Sequence, residues 1–181
     1  DAEPWRSRAT ATLSGYTVSE IAEISYSLYE PTALEGNDVY LVVYTRPEND
    51  GDDGASWYDS RLVALPVDAN NGSPNFTPGE WNEFSTASGT SNTLVFDDSG
   101  HKSGNAVGPT PLPTLSELRS GAIDWSTYGS SLTSTRDYRD EEVKALSLQT
   151  NSTSGQSLEA FVDDVTVELT SGETLNVDLE P

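Results

Sequence analysis

The chain has 181 residues, with thirty acidic side chains against nine basic ones and a formal net charge of −21. Such a surface repels phosphates and anionic headgroups, which excludes nucleic acid and an anionic membrane surface as partners. There is no cysteine, so disulfides, thiolate metal sites and a cysteine nucleophile are excluded as well.

The acids are spread along the chain, and aromatic and β-branched residues are too frequent for a disordered polymer. An acidic coat keeps a folded protein hydrated in concentrated salt, where screening removes the self-repulsion. A halophilic source is expected, with an ordinary acidic secreted protein as the alternative. Methionine is absent, so Asp1 reads as a processed end, and export to the cell surface or beyond is expected. No apolar run approaches the length of a membrane span.

In chain order, "RATATLSG" (8–15) has the small, alternating composition of an edge or exchanged strand. Thr17 and Glu20 form a capping pair for a helical turn over 17–22. "EISYSLY" (23–29) alternates, with Ile24, Tyr26 and Leu28 on one face. "DVYLVVYTR" (38–46) has the β-branched and aromatic content of a central strand. Strands follow at 60–67, 80–86 and 92–98. "PTLSELRSG" (113–121) predicts a short helix near 114–120, with Thr114 as N-cap, Glu117 completing the capping box and Gly121 as the stop. The last strands are 142–150, "EAFVDDVTVEL" (159–169) and 173–180, the final two joined as a hairpin with Ser171 and Gly172 at its tip. Turn signals separate them, and neither a repeat nor a linker intervenes. The expected fold is all-β: one domain over 1–181, a two-layer antiparallel β-sandwich of the jelly-roll type.

Strict alternation puts Phe161, Asp163, Val165, Val167 and Leu169 on one face of the strand. That face is the apolar one, so Asp163 is expected inward and Asp164 outward. A buried carboxylate needs hydrogen bonds, an ion pair or a metal. Loop backbone, Arg6, Arg8, Arg61 and calcium all stand open as partners.

The closing segment resembles a family of secreted bacterial and archaeal β-sandwich domains that end on a strand of the form F-x-G-x-V-D-x-V-x-V and a short Y-D-F-E-P-like strand. The matching residues are Phe161, Val162, Asp163, Val165 and Val167, then Val177, Asp178, Leu179, Glu180 and Pro181. "GYTVSEIAEISYSLY", "DVYLVVYT" with "RLVALP", "PGEWNEFS" and "TLSELRSGAIDW" resemble further elements of that family in order. The likeness implies the fold. A wider similarity to jelly-roll carbohydrate-binding modules implies a structural calcium at Asp163.

The acidic loop 48–59 holds Asp50, Asp52 and Asp53, a second calcium candidate, although its spacing fails the EF-hand template. Its bland alternative is a solvated hairpin loop. Trp57, Tyr58, Trp125 and Tyr128 are candidates for stacking on sugar rings, and Trp81, inside a strand, is expected in the core. Asn75, Asn151 and Asn71 head N-x-S/T triplets and are candidate N-glycosylation sites. His101, the lone histidine, stands in a glycine-rich loop, and no elbow, Walker or zinc-binding motif is present, so catalysis is not expected. The leading expectation is an extracellular, self-assembling structural subunit of a filament, surface layer or virion. Its partner would be a second copy of itself, joined through 8–15 or the C-terminal strand. A carbohydrate-binding module is the alternative, and a glycoside hydrolase a distant third.

Overall fold

A computed structural model of the chain describes residues 8–34, 39–46, 61–98, 111–128, 135–150 and 159–177. The strands are β1 (Arg8–Thr17), β2 (Ile21–Tyr29), β3 (Tyr40–Arg46), β4 (Arg61–Ala64), β5 (Trp81–Ser85), β6 (Asp97–Asp98), β7 (Ala122–Asp124), β8 (Thr135–Asp137), β9 (Glu142–Gln149), β10 (Phe161–Leu169) and β11 (Thr174–Asn176). They form a five-stranded sheet in the order β1-β9-β3-β4-β6, a four-stranded sheet in the order β11-β10-β2-β5, and a β7-β8 hairpin. Every named strand pair is antiparallel. The fold is all-β and sandwich-like, as expected, and neighbouring strands in sequence often sit in different sheets.

Alternation explains which faces meet. Ile24, Tyr26 and Leu28 of β2 point inward with Phe84 of β5 and Val167 and Leu169 of β10. They share one core with Leu41, Val43, Leu62, Leu146 and Leu148 of the other sheet. Burying these side chains is the main stabilising term, at roughly 1.5–3 kcal/mol for each large apolar residue. β3 is buried on both faces, because Val42, Tyr44 and Ala145 form a second cluster on its outer side.

The helix spans Leu115–Ser120 and is capped as its sequence predicts. Thr114 Oγ1 accepts from the Glu117 amide at 3.3 Å, and Glu117 Oε2 accepts from the Thr114 amide at 2.7 Å. Leu115 and Leu118 are its buried residues. Thr17 and Glu20 repeat the reciprocal pattern around the 3-10 turn Val18–Glu20. One expectation is revised. The strand at 92–98 shrinks to β6, preceded by single bridges at Thr93 and Val95. The segment 8–15 lies in β1, an edge strand of the five-stranded sheet as its composition suggests, paired antiparallel with β9 of its own chain. Gly15 in β1 has φ 104°, a conformation that glycine adopts without strain, where the β1–β9 register slips between Thr12 and Tyr16.

Candidate functional site

β10 contains one residue too many for its partner. Asp163 pairs with Ser27, but the next pair is Thr166 with Ser25. Three steps along β10 therefore match two along β2, which is a β-bulge. Asp164 takes the left-handed conformation there, with φ 54°. Its amide donates to Asp163 Oδ1 at 2.8 Å.

The bulge reverses side-chain parity. Beyond it Val165, Val167 and Leu169 face the core; before it Val162 does so. Phe161 and Asp163 are thereby turned outward. This corrects the expected inward Asp163: both aspartates are exposed. Two of the arginines weighed as its partners are placed in the other sheet. Arg61 lies on β4 and Arg8 begins β1, and Arg6 lies outside the described residues.

The turn of parity assembles a row of rings. Phe161 stands opposite Tyr29, and Tyr29 opposite Trp81, on three adjacent strands. The Tyr29 ring centroid is 5.9 Å from Phe161 at 61° and 5.7 Å from Trp81 at 54°. Trp81 and Phe161 are 54% and 53% exposed. Trp81 is therefore not a core residue; Asn82 and Phe84 take the inward positions of β5. Cross-strand aromatic pairs stabilise a sheet by about 0.2–1 kcal/mol each. Rings present for that reason alone need not leave half their surface in water, and clustered exposed aromatics mark binding surfaces.

The same face continues in register with polar rows. Asp163, Ser27 and Glu83 lie side by side next to the rings. The Ser25 and Thr166 hydroxyls are 2.8 Å apart, and Ser85 Oγ donates to Glu23 Oε1 at 2.5 Å. The face offers three rings, then carboxylate and hydroxyl groups that hydrogen-bond polyols.

The other aromatic candidates fall elsewhere. Trp125 is fully buried, and its Nε1 donates to the Tyr138 hydroxyl at 2.9 Å, which corrects its reading as an exposed stacking residue. Tyr128 is half-buried against it, with ring centroids 5.9 Å apart. Burial, followed by the charge of Glu117, raises the pKa of the Tyr128 hydroxyl. Trp57, Tyr58, Asp50, Asp52, Asp53, His101 and Asn151 lie outside the described residues. Asn75 and Asn71 are exposed, Asn71 in the left-handed region at φ 57°.

Glu30, Glu141 and Asp98 are the buried acids among the described residues, and Asp98 lies on β6. Arg136 of β8 gives Nη1 to its Oδ2 at 3.0 Å and forks onto Glu141 at 2.7 and 2.8 Å. The Tyr138 hydroxyl donates to the same Asp98 oxygen. Burial opposes the Arg136 charge, but the Glu141 and Asp98 carboxylates outweigh it and raise the pKa of the guanidinium. Burial and Asp98 together raise the pKa of the Tyr138 hydroxyl. This network ties β6, β8 and the start of β9 together and offers no open face.

The described residues around Asp163 do not assemble the calcium site that the resemblance implies. Asp163 is exposed, with Oδ1 engaged by the Asp164 amide. Among the described residues no three His, Cys, Asp or Glu side chains gather to hold a metal ion. Among the described residues no helix is long and apolar enough to cross a membrane. No protein-family model, curated protein or solved structure matches the chain.

Proposed function

We propose that this protein is a non-catalytic extracellular binding domain that holds glycans on the outer face of its four-stranded sheet. The observation that carries this reading is the outward-facing row Trp81, Tyr29 and Phe161, one ring per strand, with the two end rings exposed and Tyr29 half-buried between them. Sugar CH faces stack on aromatic rings, and the hydroxyls beside them find acceptors in Asp163 and Glu83. Steps of 5.7 and 5.9 Å between centroids suit consecutive pyranose units of an extended chain. The rings are tilted to one another, which suits a single twisted chain rather than a flat crystalline surface. Affinity electrophoresis against soluble β-linked polysaccharides tests it. Retardation of the wild type that is lost in Trp81→Ala and Phe161→Ala supports the reading; mobility unchanged across the whole panel sinks it.

A second reading keeps the domain as a self-assembling surface subunit. It is favoured by the places of β1 and β11, each an edge strand of one of the two large sheets. Edge strands are where another copy adds by backbone pairing. Sedimentation in concentrated salt, with electron microscopy of the same sample, separates the two: a monomer without filaments removes assembly. The acidic coat and the resemblance to secreted domains favour an exported protein from a saline setting in either case.

A further inference from the structure

Each of the two exposed rings has a carboxylate two residues along its own strand. Asp163 follows Phe161, and Glu83 follows Trp81, on the same face. Two residues of strand rise by about 7 Å, so each carboxylate lies within reach of a ligand seated on its ring. Ser27 separates the acids across the sheet, opposite both in register. The pattern is two parallel rows: ring, ring, ring, and carboxylate, hydroxyl, carboxylate.

Among the described residues no cationic side chain neutralises Asp163 or Glu83. Ion pairs elsewhere in the fold use Asp98, Glu141, Asp137 and Glu142. Glu168 stands exposed opposite Glu23 further along the same face. The negative faces of the rings add to this field, since aromatic π-systems attract cations. An anionic chain would meet like charge on every side, and the net charge of −21 extends that repulsion beyond the site.

We infer that the platform selects an amino-bearing glycan: an extended chain of amino sugars with free ammonium groups. Its CH faces lie on Trp81, Tyr29 and Phe161, and its ammonium groups pair with Asp163 and Glu83. Neutral chains of the same backbone bind more weakly, and uronate or sulfated chains are excluded. This inference rests on the glycan-binding reading above and adds the charge of the ligand to it.

Isothermal titration with three soluble oligomers of matched linkage tests it: glucosamine, N-acetylglucosamine and a uronic acid. Enough salt is added to screen loose attraction to the acidic coat. The expected result is roughly tenfold tighter binding of the free-amine oligomer than of the acetylated one, from two exposed ion pairs. The uronate oligomer gives no heat. Asp163→Asn with Glu83→Gln brings the amine oligomer down to the acetylated value. Asp140→Asn with Glu173→Gln, which removes the same charge elsewhere, leaves the tenfold preference intact. Equal affinity for amine and acetylated oligomers overturns the inference while the glycan reading stands. A preference erased equally by the remote pair also overturns it. Binding of none of the three overturns both. All these positions are exposed, and a denaturation midpoint for each variant confirms that it is folded.

Discussion

Arg136 places Nη1 3.0 Å from Oδ2 of Asp98, a carboxylate with no solvent-exposed surface. The guanidinium is itself nearly enclosed and serves Glu141 with its other nitrogens. Removing one member of a buried pair strands the other charge, at about 3–5 kcal/mol. Arg136→Met is expected to lose stability on that scale in urea denaturation. A change within experimental error would mean that water reaches Asp98.

The Tyr138 hydroxyl donates to the same oxygen and titrates far above the ordinary tyrosine value of 10.0. The unfolded chain therefore releases that proton first as pH rises. The linked stability is whole below about pH 10 and declines as pH climbs from there toward the folded-state value. Urea midpoints taken from about pH 8 to about pH 11 are expected to fall across the upper part of that range. Tyr138→Phe removes this tyrosine's share of the fall, and at neutral pH it costs about 1.5–3 kcal/mol because Asp98 loses a donor.

The bulge makes a separate prediction. Asp164 is one of three non-glycine residues with positive φ among the described residues. Asp164→Gly relieves the left-handed strain and is expected to stabilise the fold by up to about 1 kcal/mol. Deleting Asp164 makes two steps along β10 match two along β2, so strict alternation then keeps Phe161 and Asp163 outward and Val165 and Val167 inward. That variant is expected to stay folded and to keep the near-ultraviolet circular dichroism of the stacked rings. Loss of both signals would show that the outward ring row depends on the bulge itself.

Thr114→Ala removes the side-chain half of the capping box on the helix Leu115–Ser120. The expected loss is about 0.5–2 kcal/mol, read from the denaturation midpoint, with Thr114→Ser restoring most of it.

The helix was legible because its signal is local: Thr114, Glu117 and Gly121 define both ends within eight residues. Most strands were legible for a similar reason, since a period of two needs only neighbours. The bulge was not, because alternation assumes that every residue advances the face, and nothing about Asp164 announces a left-handed backbone. That one insertion misplaced Phe161 and Asp163, the two residues that matter most to the outer face. Trp81 was readable in principle. It shares parity with Glu83, whereas Phe84 has the opposite parity, so β5 cannot bury both rings. Ile123 and Trp125 share parity in the same way, and both are buried. The Arg136–Asp98 pair joins residues far apart in the chain, and no local pattern reports it.

Asn82 and Asn92 act as peptide units supplied by side chains. Asn82 Oδ1 accepts from the Thr77 amide at 2.9 Å, and its Nδ2 donates to the Thr77 and Glu80 carbonyls. Asn92 Oδ1 accepts from the Asn75 amide at 2.7 Å, and its Nδ2 donates to the Asn75 and Glu83 carbonyls. Together they fasten the approach to Trp81 before anything docks there. A ligand arriving at the ring row therefore orders little backbone, and the conformational entropy of that segment is surrendered once, during folding, rather than at each encounter.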